Sequence, residues 1–340
     1  MLKTKIKVAI KILAAACTVL VLCGFVYERI GRAKDRRRLP QIGRSVDIGG
    51  RSLNIFCSGT GSPAVILDTG GDNPGLALEQ TRAEIAKFTQ ACWYDRAGIG
   101  WSDSGPYPRT SAAISADLHE LLKRAGIPAP YVLVGGSIGG LNSRVFAGMF
   151  PKDTAGVVFD DAAHEDEPLR APKVFLASHH APRALWRPIH TLFWAASEVG
   201  LLRVTGSSAA GDKNESQMTR EELVTELRHQ PKSFVNNVDA GMVLDESYAE
   251  ARAIPSLGDI PLIALTAGKA ADFGDAELNR QAEAYQKIWA YEIQPKLARL
   301  SSRGRQIVVP DATHTTIPQE MVVKAVQDVV NEARETPKAN

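Results

Sequence analysis

The five residues Gly135-Gly136-Ser137-Ile138-Gly139 constrain this chain more than any other stretch of it. A run with buried-strand character, Tyr131-Val132-Leu133-Val134, leads into them, and a helical pattern to about Phe150 leads out. Strand, tight turn and helix in that order place the turn at the end of a sheet strand. A serine at its apex takes a strained backbone conformation with Oγ projected from the sheet, and the glycines let strand and helix backbones approach closely. The helix N-terminus favours a negative charge developing there. The other reading of such a turn is a nucleotide-binding loop, but GxGxxG and GxxxxGK[ST] are both missing at this position.

The surrounding pattern alternates strands and helices. Val46-Asp47-Ile48 and Leu53 to Cys57 flank Gly49-Gly50 as a hairpin. Ala64 to Leu67, Ala91 to Tyr94, Val157 to Phe159, Pro261 to Thr266 and Gln306 to Val309 read as further strands. Helices are expected over Gly75 to Phe88, over residues 111–125 and after Pro318. The fold class is therefore α/β, a mostly parallel twisted sheet with helices on both faces. Between Ala163 and Pro255 the alternation stops, with helical patterns near 219–229 and 234–250 and a polar segment from Gly206 to Glu215. This reads as a helical cap inserted at 163–255 between two core segments, 39–162 and 256–340. Phe175, Leu176, Leu185, Trp186, Ile189, Phe193 and Trp194 give the cap much apolar surface. Part of it is expected to line a pocket for an uncharged, apolar substrate.

Residues 1–38 stand apart. They hold ten Lys/Arg and two acids, so the remaining 302 residues carry 30 basic and 36 acidic side chains. A mildly acidic body is a poor nucleic-acid binder. The basic residues flank Ile12 to Tyr27, sixteen residues without a formal charge, or twenty from Val8 if Lys11 snorkels. Twenty residues just cross about 30 Å of hydrocarbon. A membrane anchor at about 8–27 with a short linker after it is the favoured reading. A cleaved signal peptide, leaving a secreted body, and a buried or interfacial helix are the others. Four Lys before the span and six Lys/Arg after it leave its orientation unread. No CxxC or HExxH suggests a zinc site, so neither metal nor cofactor is expected.

A serine hydroxyl needs a base. His164, His179, His180, His190 and His229 fall in or beside the cap, whereas His314 follows the last strand in Pro310-Asp311-Ala312-Thr313-His314, where a loop can swing an imidazole over the strand ends. The acid that orients it is Asp161, ending the strand at 157–159, or Asp272, after the strand at 261–266, with Asp160 and Asp275 further choices. An oxyanion hole needs two backbone N–H donors. Ile138 and Gly71, the latter after the strand at 64–67, are the candidates.

These features resemble the α/β-hydrolase fold superfamily over roughly residues 46–335. The nucleophile elbow, His314 and the loop Tyr94-Asp95-Arg96-Ala97-Gly98-Ile99-Gly100-Trp101-Ser102 carry the resemblance. Two departures stand out: Thr69-Gly70 replaces the usual His-Gly before the oxyanion residue, and the usual acid position after the penultimate strand is irregular. Val157 to His164 instead looks like the V-D-A-x-H ending of a subset of these enzymes, which lifts Asp161 over Asp160. The resemblance implies a serine hydrolase acting on a small ester-like substrate. Amide, thioester or carbon–carbon cleavage on the same triad, and a non-catalytic ligand binder, are the alternatives. It also implies that the strands carrying Cys57 and Cys92 are neighbours. They form a disulfide if the body is exported, or two small buried residues otherwise.

Overall fold

The structure is a computed structural model, and it describes residues 2–176, 185–205, 213 and 217–335. A helix α1 (Leu2–Arg38) precedes an eight-stranded sheet. The strands are β1 (Arg44–Asp47), β2 (Ser52–Ser58), β3 (Ala64–Asp68), β4 (Ala91–Tyr94), β5 (Tyr131–Gly136), β6 (Thr154–Asp160), β7 (Leu262–Ala267) and β8 (Gly304–Val309). Their order is β1-β2-β4-β3-β5-β6-β7-β8. The β1–β2 and β2–β4 pairs are antiparallel and every other pair is parallel. Asp47 Oδ1 accepts from Gly49 and Gly50 N–H and closes the first hairpin. Cys57 and Cys92 are register partners on β2 and β4 and are disulfide-bonded.

Alternation along the central strands decides the core. Leu133, Val157, Phe159 and Ala264 face one layer. It is closed by α3 (Ser111–Ala125) and α4 (Ile138–Met149), through Leu118, Leu121, Leu122 and Phe146. Val132, Val134, Val158 and Ile263 face the other. That face is covered by α2 (Glu79–Ile85) and by the last helix, through Ile85, Val322, Val326 and Val330. Both faces are buried, so the strands read as continuous apolar runs.

The region after β6 is helical: α5 (Glu167–Arg170), α6 (Lys173–Leu176), α7 (Trp186–Glu198), α8 (Leu201–Thr205), α9 (Arg220–Arg228), α10 (Pro231–Met242) and α11 (Leu244–Arg252). The single helix expected near 234–250 is two, broken at Val243. His179, His180 and most of the polar segment from Gly206 to Glu215 lie outside the described residues. Tyr248 and Ala251 of α11 pack on Leu141 and Val145 of α4, which joins cap to core. Beyond β7 come α12 (Ala276–Ile288), a π-helical turn at 289–293, α13 (Gln294–Ala298) and, after β8, α14 (Gln319–Glu335).

Residues 28–38, expected as a linker, continue α1 without a break. The first proline is Pro40, so nothing interrupts the backbone ladder earlier. The continuation is docked on the cap. Glu28, fully buried, accepts from Arg32 and from Arg203 of α8 at 2.8 Å each, and Arg29 and Arg32 reach Glu198 of α7.

Candidate active site

Ser137 joins β5 to α4 with φ 50° and ψ −123°. A non-glycine residue with positive φ costs on the order of 1–3 kcal/mol and persists only where its surroundings impose it. They do so here through three hydrogen bonds: Ser137 N–H donates to Asp160 O, and its carbonyl accepts from Gly140 and Ala163 N–H. A Cβ on Gly139 would stand 2.6 Å from the carbonyl oxygens of Asp68 and Thr69, and one on Gly135 would stand 2.5 Å from Gly140 N. The glycine spacing is therefore a packing requirement between α4, β5 and the end of β3.

The register of β5 with β6 pairs Gly136 with Asp160. Ser137 and Asp161 thus leave adjacent strands side by side. Asp161 also has positive φ, 45°, and is buried. Its Oδ1 accepts from Ala267 N–H and from Trp289 Nε1, both at 2.9 Å, while Oδ2 lies 2.6 Å from His314 Nδ1. That hydrogen bond holds the His314 imidazole above its usual range against the opposing effect of burial, and the charge of Asp161 adds to it. The loop after β8 that carries His314 is tied to the end of β7 by Gly268 N–H to Val309 O and Lys269 N–H to Ala312 O.

Asp272 is not brought to the histidine. It is exposed, and Oδ1 accepts from Gly274 N–H and Asn279 Nδ2 in a local turn. Asp275 caps α12 through the N–H groups of Glu277 and Leu278. In Asp160, Oδ1 is buried without a hydrogen-bond partner, and burial pushes the carboxyl up to about 6, with the charge of Asp161 adding to the rise. His164 is buried, and burial pushes its imidazole down to about 4. Its Nδ1 accepts from Asp166 N–H, within a junction that also holds the Arg144–Glu165 pair. His229 ends α9 at the surface.

Ile138 is the first residue of α4, so its N–H is one of the free donors of a helix start. Gly71 lies in the turn after β3 with φ 52°. Two side chains that sequence reasoning missed hold this turn. Arg96 donates to Asp68 Oδ1 at 2.8 Å, to Thr69 O at 2.7 Å and to Gly71 O. Asn142 of α4 donates to Asp68 Oδ2. Asp95 beside Arg96 accepts from Gly75 N–H, Trp101 N–H and Asn54 Nδ2, fastening the 95–102 loop to β2. The motif containing Asp95 and Arg96 was visible, but its use as a brace for the β3 turn was not. Trp289 was missed too, since no local pattern ties it to Asp161, 128 residues away.

A family model described as alpha/beta hydrolase fold matches residues 90–195. Among solved structures, a thermophilic esterase from Thermogutta terrifontis is 18% identical with a TM-score of 0.57, over 86% of this chain and 99% of that one. An enol-lactonase from Burkholderia xenovorans is 17% identical with a TM-score of 0.52, over 85% of this chain and 100% of that one. A putative epoxide hydrolase from Pseudomonas aeruginosa is 17% identical with a TM-score of 0.59, over 87% and 98%. Likeness at this identity is likeness of fold. Among curated relatives, a probable transporter of Hormonema carpetanum is 30% identical over 159 residues, which is 43% of this chain and 22% of the relative. An uncharacterized vacuolar membrane protein of Saccharomyces cerevisiae is 33% identical over 109 residues, 31% of this chain and 17% of the relative. The chain thus spans only about a fifth of the length of these relatives.

Proposed function

We propose that this chain, which has the α/β-hydrolase fold, is a serine hydrolase that cleaves an uncharged, apolar carboxylic ester through an acyl-enzyme. Ser137 Oγ attacks the acyl carbonyl while His314 Nε2 takes its proton. The tetrahedral oxyanion sits against Ile138 and Gly71 N–H, and collapse expels the alcohol with the proton returned from His314. Water then adds to the acyl-enzyme by the same route in reverse. Asp161 holds Nδ1 protonated, so that Nε2 is the free base, and stabilises the imidazolium. The observation that carries the reading is the pairing of a strained Ser137 with an Asp161–His314 hydrogen bond at the end of the neighbouring strand. A surface histidine near a glycine-rich turn would have no reason to meet a carboxylate already held by two donors. The apolar composition of the cap is the ground for proposing an apolar acyl or alcohol group.

Helix α1 is the reading's membrane anchor. Among the described residues it alone is long and apolar enough to cross a bilayer, and its apolar side chains are exposed. The Cys57–Cys92 disulfide supports a body on the exported side.

A fluorophosphonate probe tests the function. Wild type is expected to be labelled at Ser137 and to hydrolyse p-nitrophenyl esters. Ser137→Ala is expected to lose both with its melting temperature nearly unchanged. Retention of more than a few per cent of the rate by a pure variant rejects the assignment.

A further inference from the structure

The last turn of the apolar run of α1 is packed against the cap. A Cβ on Gly24 would collide with Val199 O, just past α7, and one on Gly200, φ 73°, would stand 2.8 Å from Tyr27 Cδ1. A Cβ on Gly31 would meet the Arg203 side chain. The turn Val199-Gly200 between α7 and α8 is therefore pressed on residues 24–27 of α1. From there α8 runs beside residues 28–35, where Arg203 pairs with Glu28 and Asp35. Gly24 lies about 4.5 Å before Tyr27, where the apolar run ends. Whatever depth that part of α1 has in a bilayer, the α7–α8 corner shares it.

The make-up of the corner fits that depth. Its charges are turned towards α1: Glu198 is paired with Arg29 and Arg32, and Arg203 with Glu28 and Asp35. The other formal charge of these two helices, Arg187, lies about 18 Å away along α7. The outward side is apolar. Leu201 and Val204 of α8 and Leu192 and Trp194 of α7 are each more than half exposed. The backbone of the turn closes on itself, with Val199 N–H donating to Ala195 O, Gly200 N–H to Ser197 O and Val204 N–H to Gly200 O. Hydrocarbon accepts a backbone whose polar groups are paired and rejects unpaired charge. Past the corner α1 presents exposed Arg29, Lys34, Arg36 and Arg37, cations at and above the level of lipid phosphates.

We propose that the α7–α8 corner of the cap is embedded in the acyl layer of the bilayer that α1 crosses, with Leu201 and Val204 among the acyl chains and Arg29 at the phosphates. The partner of this surface is lipid. The inference rests on the reading of α1 as the anchor and adds a second attachment to it. A single helix leaves the body free to turn about the helix axis. A second contact beside that axis fixes which face of the cap meets the membrane.

A label at the corner tests this. Single-cysteine chains are made in a Cys17→Ser, Cys23→Ser background, which keeps the Cys57–Cys92 bond. An NBD fluorophore is attached in Leu201→Cys, in Val204→Cys and, as a control on the body, in Lys152→Cys, an exposed position before β6. Each full-length chain is placed in phosphatidylcholine vesicles, with nitroxide near the top of the acyl chains or with iodide in the buffer. The nitroxide is expected to quench the labels at 201 and 204 at least about threefold more than the label at 152, and iodide to quench them at least about threefold less. An unchanged melting temperature reports that each labelled chain is folded, and two corner positions guard against one that is not. Labels at 201 and 204 that iodide reaches as it reaches 152 overturn the proposal. Shielding from iodide without quenching by the nitroxide means that protein covers the corner, and overturns it as well. Extraction of the same vesicles with alkaline carbonate reports on α1 separately. A chain that resists extraction with its corner labels open to iodide keeps the anchor and loses the corner, whereas release by carbonate breaks the anchor reading and this one with it.

Discussion

Asp161 accepts on both oxygens, two donors on one and the imidazole on the other. Asp161→Asn keeps the shape and loses the charge, so kcat is expected to fall on the order of 10⁴-fold, as when the corresponding carboxylate of a serine protease is amidated. Asp272→Asn, which alters only an exposed turn, is expected to cost less than about tenfold. The pH profile gives a second check. Asp161 raises the His314 pKa, and the base must be neutral to act, so wild type should lose kcat/KM on the acid side above the usual histidine range. With the carboxylate gone the limb should move to lower pH. Asp160 makes a different prediction. Its carboxyl titrates near 6 folded and near the usual 3.8 unfolded. Above 6 it is ionised in both states, and the folded state alone bears the cost of a buried charge. Below 3.8 it is neutral in both. Asp160→Asn should therefore raise the melting temperature at pH 8 and do so less at pH 5. An equal shift at both values would count against a buried, ionising Asp160.

Elements differ in how much of them the sequence discloses. The strands and the helices over 111–125, 138–149 and 319–335 were legible because apolar periodicity and turn residues act locally. Helix α12, the π-helical turn and α13 were not. Ala276–Ile288 has only Ala282 buried, so its pattern carries little signal, and the turn after it is shaped by tertiary bonds. Trp289 reaches Asp161, and Gln294 reaches Ala162 O. The site divides the same way. Ser137 and His314 are legible as candidates from motif and chain order, while Arg96 and Asn142, which brace the β3 turn, and Trp289, which donates to Asp161, act across distances that no window spans. At this scale Gly139→Ala is expected to abolish activity, since its Cβ would press 2.6 Å from two carbonyl oxygens of the β3 end. Removing the Cys57–Cys92 bond with a Cys→Ala pair is expected to lower stability by about 2–4 kcal/mol, measured by urea unfolding of wild type and variant. A midpoint unchanged within error would mean that the bond does not form.

For the whole molecule, the expectation is that the protein is recovered with membranes and resists alkaline carbonate extraction, and that a soluble ester is hydrolysed at the same rate in micelles and vesicles. Recovery in the soluble fraction would exclude the anchor. The α1 helix has 37 residues, about 55 Å at 1.5 Å per residue. With α1 as the proposed anchor, a bilayer core would take about 30 Å of that. Of the remainder, residues 28–38 are clamped to α7 and α8 by Glu28, Arg203 and Glu198 rather than left as a hinge. On the proposed reading, a hydrolase held in this way would not sample solution in three dimensions. Its encounters with an apolar substrate dissolved in the same bilayer would occur in two, so its velocity should follow the substrate's mole fraction in the membrane rather than its bulk molarity. Diluting the vesicles with buffer would then leave the rate per enzyme unchanged, whereas diluting the substrate with inert lipid would slow it.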